Sequence, residues 1–357
     1  MYKLAVLPGD GAGSEVVTEA LKVLDAVSKK YGLKYQINKG LVGGASLDVH
    51  GVPVTDEVLN ICREADAVLL GAIGGPKWDD FPFDIRPESA LLQLRNELGV
   101  FTNLRPVKII EGLINTSPLK PEFLYNVDLV IVRELTGGLY FGKPQFIESI
   151  EHGEHAVDTM EYSTSEIERI ATAAFEMART RRRKVTSVDK ANILLTSRLW
   201  RKTVIKAAEK YPDITLEHML VDNCAMQLIR NPGQFDVILT ENTFGDIISD
   251  EAAMLSGSLG MLPSASLGNR GCLFEPVHGS APDIAGKNIA NPIGTINSVA
   301  LMIRYTFKNE EAALLIEKAV EDVINKGYRT SDIFTEECTL ISTSEMGDRI
   351  FENILSQ

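Results

Sequence analysis

The sequence predicts an α/β fold. Short apolar runs alternate along the chain with stretches whose apolar residues recur at helical spacing. The first run, Lys3 to Leu7, ends in Pro8-Gly9-Asp10-Gly11-Ala12-Gly13 and leads into Ser14 to Lys30, where Val17, Leu21, Leu24 and Val27 share a helical face. The chain has 357 residues, 45% hydrophobic and 24% charged, enough to bury a large core in roughly two domains of ~150 residues each.

The later elements repeat this alternation. Ala67 to Leu70, Leu129 to Val132 and Val237 to Leu239 read as strands, and Thr164 to Arg179, Ser197 to Lys210, Asp222 to Ile229 and Glu310 to Asn325 as helices. Ser165 with Glu168 is a candidate capping box, and Gly327 suits the end of the last helix. Glu134 to Glu154, rich in glycine and aromatics, predicts an extended hairpin arm. Arg181-Arg182-Arg183-Lys184 follows a helix and is expected to be its solvated, cationic end.

Composition excludes several classes. A net charge of −13 argues against a general nucleic-acid binder, though arginines gathered in a cleft can still receive a small anion. The four cysteines, Cys62, Cys224, Cys272 and Cys338, are too scattered for a zinc motif or a disulfide framework and suggest a reducing compartment. No apolar run approaches the ~18 residues of a membrane span. These features together predict a cytoplasmic protein.

Candidate functional residues cluster at strand ends and in small-residue loops. Gly9, Gly11 and Gly13 form G-x-G-x-G, which differs from the dinucleotide fingerprint G-x-G-x-x-G and fits a tight turn equally well. Arg95, Arg105 and Arg133 could grip carboxylates in bidentate fashion or form surface ion pairs. Asp246 and Asp250, four apart, share a helical face. With Asp222 they could hold Mg²⁺ or Mn²⁺, while Asp222 and Asp246 could instead cap helices. Lys190 could act as a base if its pKa is lowered, and Tyr140 as a proton donor. The loop His278-Gly279-Ser280-Ala281-Pro282-Asp283-Ile284 lets a ligand approach the backbone, and Asp283 could accept bonds from an adenosine ribose.

These segments resemble the β-decarboxylating dehydrogenases of the isocitrate/isopropylmalate type. The likeness rests on Leu91-Leu92-Gln93-Leu94-Arg95, Leu104-Arg105-Pro106, Asp189-Lys190-Ala191-Asn192, Asp222 to Gln227, Glu241 to Asp250 and His278 to Asp283. It implies a two-domain fold of the isopropylmalate-dehydrogenase type, distinct from the usual Rossmann fold. One domain would take 1–100 with 252–357, and the other, a dimerisation domain, 101–251 with an intersubunit arm at about 134–154.

The resemblance also implies a homodimer in which Lys190, Ile193 and Asp222 reach the neighbour's active site. Arg95, Arg105 and Arg133 would bind malate carboxylates, and Asp246, Asp250 and the neighbouring Asp222 would hold Mg²⁺ or Mn²⁺. Lys190 would assist deprotonation of the C2 hydroxyl, and Tyr140 would protonate the carbon that loses CO₂. Leu91 and Leu92, with Ile193, suit an isopropyl group where isocitrate enzymes carry serine and asparagine. Burying that group is worth about 1.5–3 kcal/mol.

Glu88 would lie near the nicotinamide, and His278, Gly279, Ser280, Ala281, Asp283 and Asn291 near adenosine. Asp283-Ile284 implies NAD rather than NADP. The implied activity is NAD-dependent oxidative decarboxylation of 3-isopropylmalate to 4-methyl-2-oxopentanoate in leucine biosynthesis, with homoisocitrate and tartrate as alternative substrates and a Mg²⁺-dependent phosphohydrolase as the alternative of another class. Ala12 and Ser14, and Gly294 and Asn297, depart from the residues common in the family.

Overall fold

The computed structural model describes residues 1–357, the Phe83 side chain apart. At the N-terminus, strand Tyr2–Gly9 turns into helix Gly13–Tyr31. Gly9 sits at φ +71°, and a Cβ there would lie 1.8 Å from the Ala72 carbonyl oxygen. Only glycine fits this turn. Gly32 closes the helix in the left-handed region, its N–H donating to the Ser28 carbonyl.

The chain divides into two units, the first comprising Met1–Val100, Ile109–Lys120 and Ala253–Gln357, the second Phe101–Lys108 and Pro121–Ala252. In the first, strands run in the order Tyr35–Lys39, Tyr2–Gly9, Ala67–Ala72, Cys272–Pro276, Pro263–Gly268. The first four are parallel neighbours and the last is antiparallel. Every residue of Ala67–Ala72 is buried, as expected of a strand covered on both faces. Helix Gly13–Tyr31 packs against Ile293–Tyr305 and Thr343–Ser356. Gly294, one of the departures from the family, has a packing reason: a Cβ there would lie 2.9 Å from the Leu262 carbonyl oxygen.

Segment 109–120 joins the first unit, against the expected boundary at residue 101. Gly112 binds it there, its N–H reaching the Asn325 side chain at 3.1 Å and its carbonyl accepting from Arg329 at 2.6 Å. Leu113 is buried in the same short helix, Glu111–Thr116.

In the second unit the order is Val100–Lys108, Asp128–Glu134, Val237–Thr240, Lys184–Asp189, Thr215–Leu220. The first pair is antiparallel and the remaining pairs are parallel. Helices Thr164–Arg179 and Leu195–Ala208 pack on one another.

Three local expectations change here. The capping box is Ser163 with Glu166, because Thr164 already has helical geometry and Ser165 lies inside the first turn. The hairpin starts and ends later than expected, as the antiparallel pair Phe146–Ile150 and Gly153–Val157, while Glu134 is a fully buried sheet residue. Arg181 is no solvated helix end: it donates to Asp236 at 2.8 Å and Asp128 at 2.6 Å. Asp236 is 1% exposed, and a carboxylate buried that deeply requires a paired cation.

Candidate active site

Four parallel neighbouring strands of the second unit end at one edge, where ligand crevices form in α/β sheets. Arg133 is the penultimate residue of Asp128–Glu134, Lys190 follows Lys184–Asp189, Asp222 follows Thr215–Leu220, and Asn242 follows Val237–Thr240. Helix Asn242–Ala253 starts there and carries Asp246 and Asp250 one turn apart. Asp246 is five residues into the helix, so it is no N-cap. Asp222 lies in the first turn of helix Val221–Arg230.

The charges interleave. Arg133 donates to Asp246. Arg105 donates to Asp250 at 3.1 Å and to Ser249 Oγ at 2.7 Å, and lies 3.5 Å from Asp246. Arg105 and Arg133 are 8% and 2% exposed. Guanidinium groups this deep would cost several kcal/mol without anionic partners. The aspartates stay accessible at their outer sides: the Asp250 side chain is 57% exposed and that of Asp246 34%. Partial burial raises the Asp250 pKa, Asp246 adds to the effect, and Arg105 and Arg133 oppose it.

Tyr140 joins the same cluster. Its hydroxyl donates to Asp246 Oδ2 at 3.0 Å, and Arg133 lies 6.0 Å from its ring centre. Partial burial and the Asp246 charge raise the phenol pKa, so the proton stays on oxygen. Lys190 Nζ donates to Asp222 Oδ1 at 2.6 Å, which lowers the Asp222 pKa. Its backbone N–H is anchored by Ser197 Oγ at 3.1 Å. Ile193 is 67% exposed.

Among the described residues no three His, Cys, Asp or Glu side chains gather as a metal site. Asp246 and Asp250 come together through Arg105, whereas Asp222 pairs with Lys190. Two hard carboxylates with accessible oxygens fit part of a Mg²⁺ or Mn²⁺ shell; a third protein ligand is not supplied by Asp222 of the same chain.

In the first unit, helix Pro87–Leu98 carries Glu88, Leu91, Leu92 and Arg95. Arg95 pairs with Glu275 at 3.1 Å, and its buried Nε has no partner. Leu91 and Leu92 are half-buried and Glu88 is exposed.

The glycine-rich turn and the His278–Ile284 loop meet. Ala12 N–H donates to the Ser280 carbonyl at 2.8 Å, and a Cβ on Gly11 would lie 2.1 Å from the same oxygen. Ala12, Val16 and Ala290 pack with Ala281 and Ile284. The small Ala12 therefore has an internal packing role. His278 Nδ1 pairs with the Gly279 carbonyl, its Nε2 is buried without a partner, and burial lowers its pKa. A neutral imidazole with an unused nitrogen beside small residues and the exposed Asp283 and Gly279 fits a dinucleotide's polar edges. Asn291 is committed internally, to Asp332 at 3.0 Å and to the Ile293 N–H at 3.0 Å.

Several residues escaped the sequence reading. Asp10 accepts from Gly44, Ala45 and Gly74 N–H groups at 2.7–2.8 Å. Glu275, Ser249 and Asn242 serve Arg95, Arg105 and Arg133 respectively. Asp10, Ser249 and Asn242 lie inside recognisable segments without a role of their own there, and Glu275 lies just before one.

Residues 3–350 match the family described as isocitrate/isopropylmalate dehydrogenase. The chain is 54% identical to the 3-isopropylmalate dehydrogenase of Aquifex aeolicus, covering 99% of this chain and 97% of that one. It is 57% identical to the enzyme of that name from Moorella thermoacetica, covering 98% of each. Among solved structures, the isocitrate dehydrogenase of Methylococcus capsulatus matches with a TM-score of 0.89 at 36% identity, covering 99% of this chain and 100% of that one. A β-decarboxylating dehydrogenase from Thermococcus kodakarensis matches at 0.82 and 35%, covering 100% and 97%.

Proposed function

This chain belongs to the isocitrate/isopropylmalate dehydrogenase family, and from that premise we propose how its residues divide the work. It is an oxidoreductase that oxidatively decarboxylates 3-isopropylmalate, a step of leucine biosynthesis. The carrying observation is the cluster in which buried Arg105 and Arg133 interleave with Asp246, Asp250 and Tyr140. Such a site recognises a small dicarboxylate and keeps a protonated phenol beside it.

Arg95, Arg105 and Arg133 bind the carboxylates. Each charge-assisted hydrogen bond is worth about 1.5–3 kcal/mol net. Leu91 and Leu92 receive the isopropyl group, together with Ile193 of the second subunit in a homodimer. Isocitrate would bring a carboxylate to these leucines, and leaving it unpaired is costly. Lys190 of the second subunit, with Asp222 as its partner, assists the deprotonation of the substrate hydroxyl. Tyr140 gives a proton to the carbon left after CO₂ departs.

Asp246 and Asp250, with Asp222 of the second subunit, would hold Mg²⁺ or Mn²⁺. Glu88, His278, Gly279, Ser280, Ala281, Asp283 and Asn291 would bind NAD. When bound, the metal supplies Lewis acidity and NAD accepts the hydride. Asp283 favours a free ribose hydroxyl and repels the 2′-phosphate of NADP. The enzyme works in the cytoplasm. Among the described residues no helix is long and apolar enough to cross a membrane.

The test is NADH absorbance with purified protein, with and without Mg²⁺. Parallel reactions carry 3-isopropylmalate, isocitrate, homoisocitrate or tartrate, and NADP in place of NAD. Metal-dependent turnover of 3-isopropylmalate with NAD is expected. Turnover of another malate alone would overturn the leucine pocket. Phosphate release from phosphate esters without NAD would overturn the chemistry itself.

A further inference from the structure

Asn242 is the first residue of helix Asn242–Ala253 and is 1% exposed. Its carboxamide is used at both ends. Oδ1 accepts from Arg133 Nε at 3.1 Å and Nη2 at 2.8 Å. Nδ2 donates to the Gly137 carbonyl at 3.0 Å. The orientation is forced, because a guanidinium can only donate and a carbonyl can only accept.

The surroundings hold the amide still. The Asn242 backbone N–H donates to the Tyr162 hydroxyl at 3.0 Å, and that hydroxyl donates to Glu241 Oε2 at 3.3 Å. Glu241 also accepts from the Thr243 and Phe244 N–H groups at 3.0 and 2.6 Å. On the far side, the Gly137 N–H donates to buried Glu134 at 2.8 Å. The peptide groups of Gly137 are therefore fixed from two directions. Three residues later Tyr140 reaches Asp246. Gly138 between them sits at φ +76°, with the Tyr162 hydroxyl 2.6 Å from where a Cβ would be. A side chain at 138 would not fit there.

We propose that Asn242 is a positioning residue with two separable duties. Its carbonyl aims Arg133 at a substrate carboxylate, and its amino group fixes the Gly137–Tyr140 turn that presents Tyr140 as proton donor. The inference rests on the roles given above to Arg133 and Tyr140.

Asn242→Asp separates the duties, because a carboxylate still accepts from Arg133 but cannot donate to Gly137. For this variant the KM for 3-isopropylmalate should stay within ~3-fold while kcat falls by ~10-fold or more, with a rapid first turnover of NADH formation ahead of a slow steady state. Asn242→Ala removes both contacts and should raise that KM by ~10-fold as well as lowering kcat. The KM for NAD should stay within ~2-fold in both, a pattern that general loosening would not give. Equal losses in all parameters, or an unchanged kcat in Asn242→Asp, would overturn the proposal.

If the Asp variant fails to fold, an unchanged substrate KM in Asn242→Ala would overturn the Arg133 duty. A crystal structure of Asn242→Asp supplies an arm free of activity: displacement of Gly137–Tyr140 with Arg133 in place is expected, and an unmoved turn would overturn the inference. A wild-type protein inactive on 3-isopropylmalate would sink the functional reading and leave this structural arm standing.

Discussion

The two units build their candidate sites from different materials. In the first, the Gly9–Gly13 turn meets the His278–Ile284 loop through backbone groups, Ala12 N–H to the Ser280 carbonyl, and the Asp10 carboxylate in that turn accepts from the Gly44, Ala45 and Gly74 N–H groups. Glycines allow chain segments to approach within reach of each other. In the second, Arg105, Arg133, Asp246 and Asp250 meet side chain to side chain, with Asn242 and Ser249 as neutral partners. A backbone-lined surface recognises shape and suits a long dinucleotide. A lattice of opposite charges suits a small dianion and a cation, because either can replace a partner already in position. The contrast is one of material: glycines and backbone groups in one unit, buried charge in the other.

The comparison can be broken most forcefully at Arg133. Arg133→Ala leaves Asp246 and the Asn242 carbonyl without their guanidinium. A loss of about 3–5 kcal/mol is expected, together with near-complete loss of turnover. Denaturant unfolding and the NADH assay check it, and a loss under ~1 kcal/mol would show that the charge lattice is not held as described.

Next is the backbone-built side. Asp10→Ala removes one acceptor from three N–H groups, and each such buried group left unpaired costs about 1–3 kcal/mol unless water reaches it. The KM for NAD should rise while the KM for 3-isopropylmalate changes little. The reverse split would erase the distinction between the two units. Burial, with help from Glu88, raises the Asp10 pKa against the pull of those three N–H groups.

The smallest change in stability is expected at Lys190→Ala. Its pair with Asp222 is solvated, with side-chain exposures of 27% and 58%, and such pairs add little to stability. Activity should nevertheless fall steeply, because the group that assists deprotonation of the substrate hydroxyl is gone. A mild kinetic effect in a stably folded variant would remove Lys190 from the chemistry.

Much of the fold was legible because it follows local rules. The helices Thr164–Arg179 and Glu310–Asn325 coincide with their apolar periodicity. Strands such as Ala67–Ala72 announce themselves as unbroken apolar runs. The capping box shifted by two residues because the serines at 163 and 165 are equivalent to any local rule; backbone geometry at Thr164 chose between them. The arginine run at 181–184 misled because only packing reveals that Asp236 lies buried beneath it.

The sequence alone determined the α/β alternation, the glycine-rich turn, and the family to which the charged segments point, since these depend on residue type and spacing along the chain. Only the tertiary structure decided which charges share a partner, that segment 109–120 packs with the first unit, that Asp222 faces Lys190, and that Asn242 joins Arg133 to the Tyr140 turn. These depend on distances between residues up to 217 apart in sequence, as with Gly112 and Arg329. Hydrogen bonds and ion pairs act over a few ångströms in space, whatever the separation along the chain.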